Sequence, residues 1–125
     1  MQSIMVIDDS EADQFFAKLE IEKFDSSIHV LQAYDGLQAL EMLKNQSVSP
    51  DIIFLDINMP RMSGHEFLEA YVSNFKDKSM VIMLSSSTLE IDKNRALRHD
   101  CVRDYIEKPL NSALLSRARS MLKSA

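Results

Sequence analysis

Five short apolar runs, at positions 4–7, 28–34, 51–55, 80–84 and 104–106, alternate with longer segments whose apolar residues recur at helical spacing. A helix after each strand returns the chain to the end where that strand began, so the next strand can pair parallel to it. Five such repeats predict an α/β fold, (βα)5, with a parallel sheet covered on both faces. The runs at 4–7, 52–55 and 80–84 are apolar without alternation, the mark of central strands buried on both sides. HVLQAY and DYIEK are more mixed and take the two edges. The order 2-1-3-4-5 follows, that of a doubly wound, flavodoxin-like five-stranded sheet with right-handed crossovers.

The helical segments carry their own patterns. Ala12, Phe15, Phe16 and Leu19 fall at i, i+3, i+4 and i+7 in the first; Leu37, Leu40 and Leu43 recur in the second. Phe67, Leu68, Tyr71, Val72 and Phe75 form a clear stripe in the third. The fourth, near 88–99, is weak, with Leu89, Ile91, Ala96 and Leu97 among many charges. The last holds Leu110, Ala113, Leu114, Ala118, Met121 and Leu122. Ser10 with Asp13 reads as a capping-box variant opening the first helix, Asp35-Gly36 turns the chain into the second, and Ser49-Pro50 ends that unit. Gly64 follows a Met-Pro-Arg-Met-Ser loop. The 125 residues make one domain, 1–125, with no linker and no output module expected.

Bulk properties exclude several functions. The net charge is −5 with no Lys/Arg block beyond the short RARSMLK, which argues against nucleic acid as a partner. No stretch approaches the ~20 apolar residues of a membrane span, and MQSIMVIDDS lacks the parts of a signal peptide. A single cysteine, Cys101, rules out an internal disulfide and fits a semi-buried filler in a reducing compartment, so the cytoplasm is expected. His29, His65 and His99 share no ligand spacing, and His65 is expected to be a solvated helix residue.

Polar residues wait where the strands end. Asp8 and Asp9 follow IMVI, Asp56 ends DIIFLD, Ser85 follows MVIML and Lys108 follows DYIE. Ligands of open parallel sheets bind beyond those ends. With the first and third strands adjacent, Asp8, Asp9 and Asp56 cluster, and three carboxylates so close call for a cation. Oxygen ligands without a His or Cys set favour Mg²⁺ over zinc. Lys108 and Ser85 then supply a fixed positive charge and a hydroxyl for a transferring phosphoryl group. Asp56 is the best candidate for a carboxylate nucleophile, Asp8 and Asp9 being better placed to hold metal. Taken singly, each has a plainer reading: Asp9 and Ser10 as helix caps, Asp56 as a turn residue, Lys108-Pro109 as a strand exit. Their joint occurrence in this order is what carries the argument.

These residues resemble those of the two-component response-regulator receiver domain. The match rests on Asp8-Asp9, LDINMPRMSG around Asp56, Ser85, and Tyr105 with Lys108-Pro109, and it spans essentially the full length. The resemblance implies that Asp56 accepts a phosphoryl group from a histidine of a sensor histidine kinase or phosphotransfer protein. It implies that Asp9, Asp56 and the Asn58 backbone carbonyl ligate Mg²⁺, with Asp8 helping through water. It also implies that Ser85 and Lys108 contact the phosphoryl group, that the Lys108–Pro109 bond is cis, and that Tyr105 swings inward as Ser85 moves. The output face for a protein target would be the fourth helix, fifth strand and fifth helix. The product would be a conformational state, so the chain is expected to be a phospho-acceptor rather than a conventional enzyme. Departures from the family pattern are Ser85 for the commoner Thr, Ser63 where many members carry Asp, Ser86-Ser87 after Ser85, and HDCVRDY, which lacks a Gly and is one residue longer. A phosphorylation-independent interaction module and a small aspartyl phosphatase or phosphotransferase are the other classes considered. The intact acids, Ser85 and Lys108 argue against the first, and the absence of a cap or substrate domain argues against the second.

Overall fold

The computed structural model describes residues 1–45, 49–76, 78–87 and 89–123. Strands and helices alternate as expected: β1 (Ser3–Ile7), α1 (Glu11–Phe24), β2 (His29–Ala33), α2 (Gly36–Lys44), β3 (Ile52–Leu55), α3 (Gly64–Asn74), β4 (Met80–Ser85), α4 (Glu90–Leu97), β5 (Val102–Glu107) and α5 (Ser112–Lys123). All pair in parallel in the order β2-β1-β3-β4-β5. The two mixed runs are the edges, and the three uniformly apolar runs are the centre.

The apolar runs do not alternate because each central strand feeds two cores. Met5, Ile7, Ile53, Leu55, Val81 and Met83 point to one face, where they meet Phe67, Leu68 and Tyr71 of α3 and Ala39 and Leu43 of α2. Ile4, Val6, Ile52, Phe54, Ile82 and Leu84 point to the other, against Ala17 and Ile21 of α1 and Leu115 and Ala118 of α5. A side chain of this size stabilises by roughly 1.5–3 kcal/mol when fully buried, so the sheet is the rigid platform on which the strand ends are displayed.

One helix turns differently from its expected stripe. In α1, Phe15 and Phe16 are 62% and 57% exposed, and the buried residues are Gln14, Ala17 and Ile21. The cause is polar. The Gln14 side-chain nitrogen lies 3.0 Å from the Val6 carbonyl, 3.1 Å from that of Asp8 and 2.8 Å from that of Ala33, so its amide serves carbonyls where β1 and β2 end. In α5 the expected Ala118 is buried together with Leu115, while Ala113 faces solvent.

The β4–β5 pairing carries a bulge. Val81 pairs with Val102 but Ile82 pairs with Asp104, so Arg103 is passed over and the register from Tyr105 onward is regular. The α4 helix is short, has no side-chain cap and buries only Ala96. Its weak apolar pattern thus corresponds to a loosely seated helix.

Candidate functional site

Asp8 follows β1 directly and Asp56 follows β3 directly; the two strands are paired, so both carboxylates emerge side by side. Asp8 is 2% exposed and Asp56 6%, whereas Asp9 is open to solvent. One carboxylate oxygen from each of the three lies within 4.8 Å of the others. Burial pushes the Asp8 carboxyl above its usual range; hydrogen bonds from Lys108 and the Ser10 N–H oppose this, and the Asp56 charge adds to it. The donor set is hard oxygen, with Asp9 on the open side where water can complete a shell. It fits Mg²⁺. Asn58 stands two residues beyond Asp56 on the exposed loop.

Asp56 itself is oriented by two contacts. Its Oδ1 accepts the Ile57 N–H at 2.8 Å, which leaves Oδ2 turned toward the Lys108 ammonium at 3.3 Å. Lys108 follows β5, its own N–H donates to the Ser85 carbonyl at 3.0 Å, and its bond to Pro109 is cis. Its Nζ also lies 2.7 Å from Asp8 and 2.7 Å from Asp13. Burial alone would lower the pKa of this ammonium; the hydrogen bonds to Asp13 and Asp8 and the charges of Asp56 and Asp8 outweigh it, and the net direction is up. Lys108 is therefore a fixed positive charge at physiological pH.

Asp13 was expected only as a partner in a cap. Half of that is present: Ser10 accepts the Asp13 N–H at 3.2 Å, but the Asp13 carboxylate goes to Lys108. No local pattern marked this pairing, because Lys108 lies 95 positions away in the chain. A small recess of about 90 Å³ lies beside this pair, walled by Asp13, Phe16, Lys108 and Pro109 among others.

Ser85 ends β4 and is fully buried; its hydroxyl accepts the Ser87 N–H at 3.1 Å. Ser87 is a junction. Its carbonyl accepts the Tyr105 hydroxyl at 2.9 Å, and its own hydroxyl donates to Asp92 of α4 at 2.8 Å. Asp92 in turn lies 3.2 Å from Nε2 of His65 on α3. His65 is thus not the solvated residue expected from its lack of ligand spacing: it is 5% exposed, and its ring crosses from α3 to α4. The Ser87 hydroxyl, and then His65, hold the Asp92 carboxyl below its usual range.

The loop between β3 and α3 is also pinned. Ser63 and Glu66 form a reciprocal capping box at the start of α3. Arg61 has φ 63°, a left-handed conformation unfavourable for a residue with a β-carbon, and its guanidinium pairs with Asp35, the N-cap of α2. Burial of Asp35 opposes its ionisation, yet Arg61 and the Gln38 N–H bring its carboxyl below the usual range.

Comparison with known proteins follows the same lines. The response regulator receiver domain family matches residues 4–119, which include every acid of the pocket and Lys108. The sensor histidine kinase CheAY of Helicobacter pylori is 32% identical over 114 residues, 90% of this chain but 14% of that protein. A two-component response regulator from Cytophaga hutchinsonii superposes with a TM-score of 0.89 at 27% identity, covering 100% of this chain and 98% of its own. One from Legionella pneumophila gives 0.84 at 30% identity and covers both chains completely. Among the described residues no helix is long and apolar enough to cross a membrane. With its sheet order, its strand-end acids and a family match over nearly the whole chain, this protein belongs to the response regulator receiver domain family.

Proposed function

We propose that Asp56 accepts a phosphoryl group from a phosphohistidine of a sensor kinase or phosphotransfer protein, and that the resulting charge alters protein contacts on the α4-β5-α5 face. The observation that carries this reading is the meeting of Asp8, Asp9 and Asp56 around one point with Lys108 against two of them. In the step, an Asp56 carboxylate oxygen bonds to phosphorus while the P–N bond to the donor imidazole breaks. The electron pair stays with that nitrogen. Lys108 and the buried Ser85 hydroxyl are the donors available to the phosphoryl oxygens. Asp9 and Asp56, with the Asn58 carbonyl and water held by Asp8, would hold Mg²⁺. Bound there, the cation supplies charge neutralisation between the carboxylates and the phosphoryl oxygens.

Transmission to the output face follows the Ser87 junction. If Ser85 turns toward a phosphoryl oxygen, its oxygen moves relative to the Ser87 N–H it accepts from. Ser87 also holds the Tyr105 hydroxyl and Asp92 of α4, so a shift of Ser87 reaches loop, ring and helix together. Leu89, Ile91 and Leu97 are exposed here, at 62%, 74% and 39%, and suit a protein partner. The response is a shift between two states that phosphorylation biases.

Chemical mapping tests the acceptor. After incubation with acetyl phosphate and Mg²⁺, borohydride reduces an aspartyl phosphate to homoserine, and peptide mass spectrometry should place that residue at 56. Homoserine elsewhere, or sustained hydrolysis of small phosphate esters with no retained group, would replace this reading by another acceptor or by a phosphatase.

A further inference from the structure

Asp13 is the acid at the site to which the phosphoryl-transfer reading gives no task. It stands in the first turn of α1, where the Ser10 hydroxyl fixes its backbone, and its carboxylate lies 2.7 Å from the Lys108 Nζ. That is as close as Asp8 and closer than Asp56 at 3.3 Å.

Lys108 donates hydrogen bonds to Asp13 and Asp56, and Asp8 lies 2.7 Å from the same Nζ, so three carboxylates crowd one ammonium. An incoming phosphoryl oxygen must compete with them for its hydrogens. Asp8 is 3% exposed at its side chain and sits in the acid trio, where the proposed cation site keeps it in place. Asp56 is the proposed acceptor and stays where the bond forms. The Asp13 side chain is 44% exposed, so water can solvate it when it lets go. Asp13 is therefore the carboxylate that yields.

We propose that Asp13 is a positioning residue that holds Lys108 toward α1 before phosphorylation and competes with the phosphoryl group for its ammonium, so that it slows formation of the Asp56 phosphate. This deepens the phosphoryl-acceptor reading and rests on it. Asp13 touches neither the acceptor nor the donor; it acts through Lys108.

The test is the rate constant for phosphorylation by acetyl phosphate at saturating Mg²⁺, in native protein, Asp13→Asn, Lys108→Ala and the double variant. Glu11→Gln serves as a charge control, since Glu11 is an exposed acid in the same helical turn. Asp13→Asn should raise the rate about 3- to 10-fold, within the range that coupling between contacting groups produces. Glu11→Gln should change it by less than about 2-fold, as expected for an exposed charge without a partner. In the Lys108→Ala background the effect of Asp13→Asn should vanish. No acceleration, or an acceleration that persists without Lys108, overturns the proposal.

A second readout does not depend on the phosphoryl reaction. Acylation of lysines by an N-hydroxysuccinimide ester, followed by peptide mass spectrometry, should label Lys108 faster in Asp13→Asn than in native protein, with other lysines unchanged. Unchanged Lys108 labelling overturns the restraint. If native protein accepts no phosphoryl group but Lys108 labelling rises, the acceptor reading fails and the restraint on Lys108 stands.

Discussion

Gly64 sets how closely α3 can approach the acid pocket. A β-carbon there would lie 2.3 Å from the Asp56 carbonyl oxygen, a backbone atom that cannot give way without moving Asp56. At Gly36 the nearest atoms, at 2.8 Å, belong to the flexible Met62 side chain. We expect Gly64→Ala to cost about 3 kcal/mol and Gly36→Ala about 1 kcal/mol or less in urea unfolding. Equal costs would mean that the β3–α3 loop yields where this packing says it does not. Gln14→Leu removes the amide that serves three strand-end carbonyls and should cost about 1–3 kcal/mol, read from the same unfolding curves. At this scale the sequence was partly legible. Asp8, Asp9, Asp56 and Lys108 announced themselves by following apolar runs, because a strand end is easy to see. Gln14, His65 and Asp13 did not. A polar residue is buried when fixed partners happen to surround it, and those partners lie on other elements: carbonyls of β1 and β2 for Gln14, Asp92 for His65, Lys108 for Asp13.

Among the elements, α4 is the one held mainly by polar contacts. It buries only Ala96, and Asp92 ties it both to Ser87 and to His65. Asp92→Asn should therefore speed hydrogen exchange in residues 90–97 while lowering global stability by only about 1–2 kcal/mol. The sign with pH follows from the lowered Asp92 carboxyl. Its contribution is complete above the ordinary value of 3.8 and is lost as pH falls through the lower folded value. The stability difference between native and Asp92→Asn, from urea midpoints, should thus shrink as pH falls below about 4. A difference that persists undiminished at lower pH would contradict the assignment. The weak stripe of α4 was legible as weakness, and the edge strands as mixed patterns. The face of α1 was not: both Ala12, Phe15, Phe16, Leu19 and Gln14, Ala17, Ile21 recur at helical spacing, on opposite sides, and the apolar content favoured the wrong one. The β5 bulge was not legible, since its place depends on the pairing with β4.

At the scale of the molecule, the sheet gathers like charges that oppose folding and favour a cation. The chain carries −5 overall, and three of its acids share one point. Binding of Mg²⁺ to the native state alone should raise the unfolding free energy by about 2.7 kcal/mol at a concentration 100 times its dissociation constant. Asp9→Asn should require more Mg²⁺ for the same gain, as followed by urea unfolding across a Mg²⁺ series. The order of the sheet was fully readable because five apolar runs with intervening helices leave few parallel topologies, and that order alone brings the acids and Lys108 together. How Ser85, Tyr105 and α4 are linked depends on contacts made across elements, which no run of residues displays. The claim beneath all of this is that Asp56 takes up a phosphoryl group with the help of a divalent cation. Intact-mass measurement after incubation with acetyl phosphate, on native protein and Asp56→Asn, with and without Mg²⁺, tests it directly. One added phosphoryl group on native protein with Mg²⁺, and none in the other three samples, is the expected result; no adduct on native protein, or the same adduct on Asp56→Asn, would contradict it.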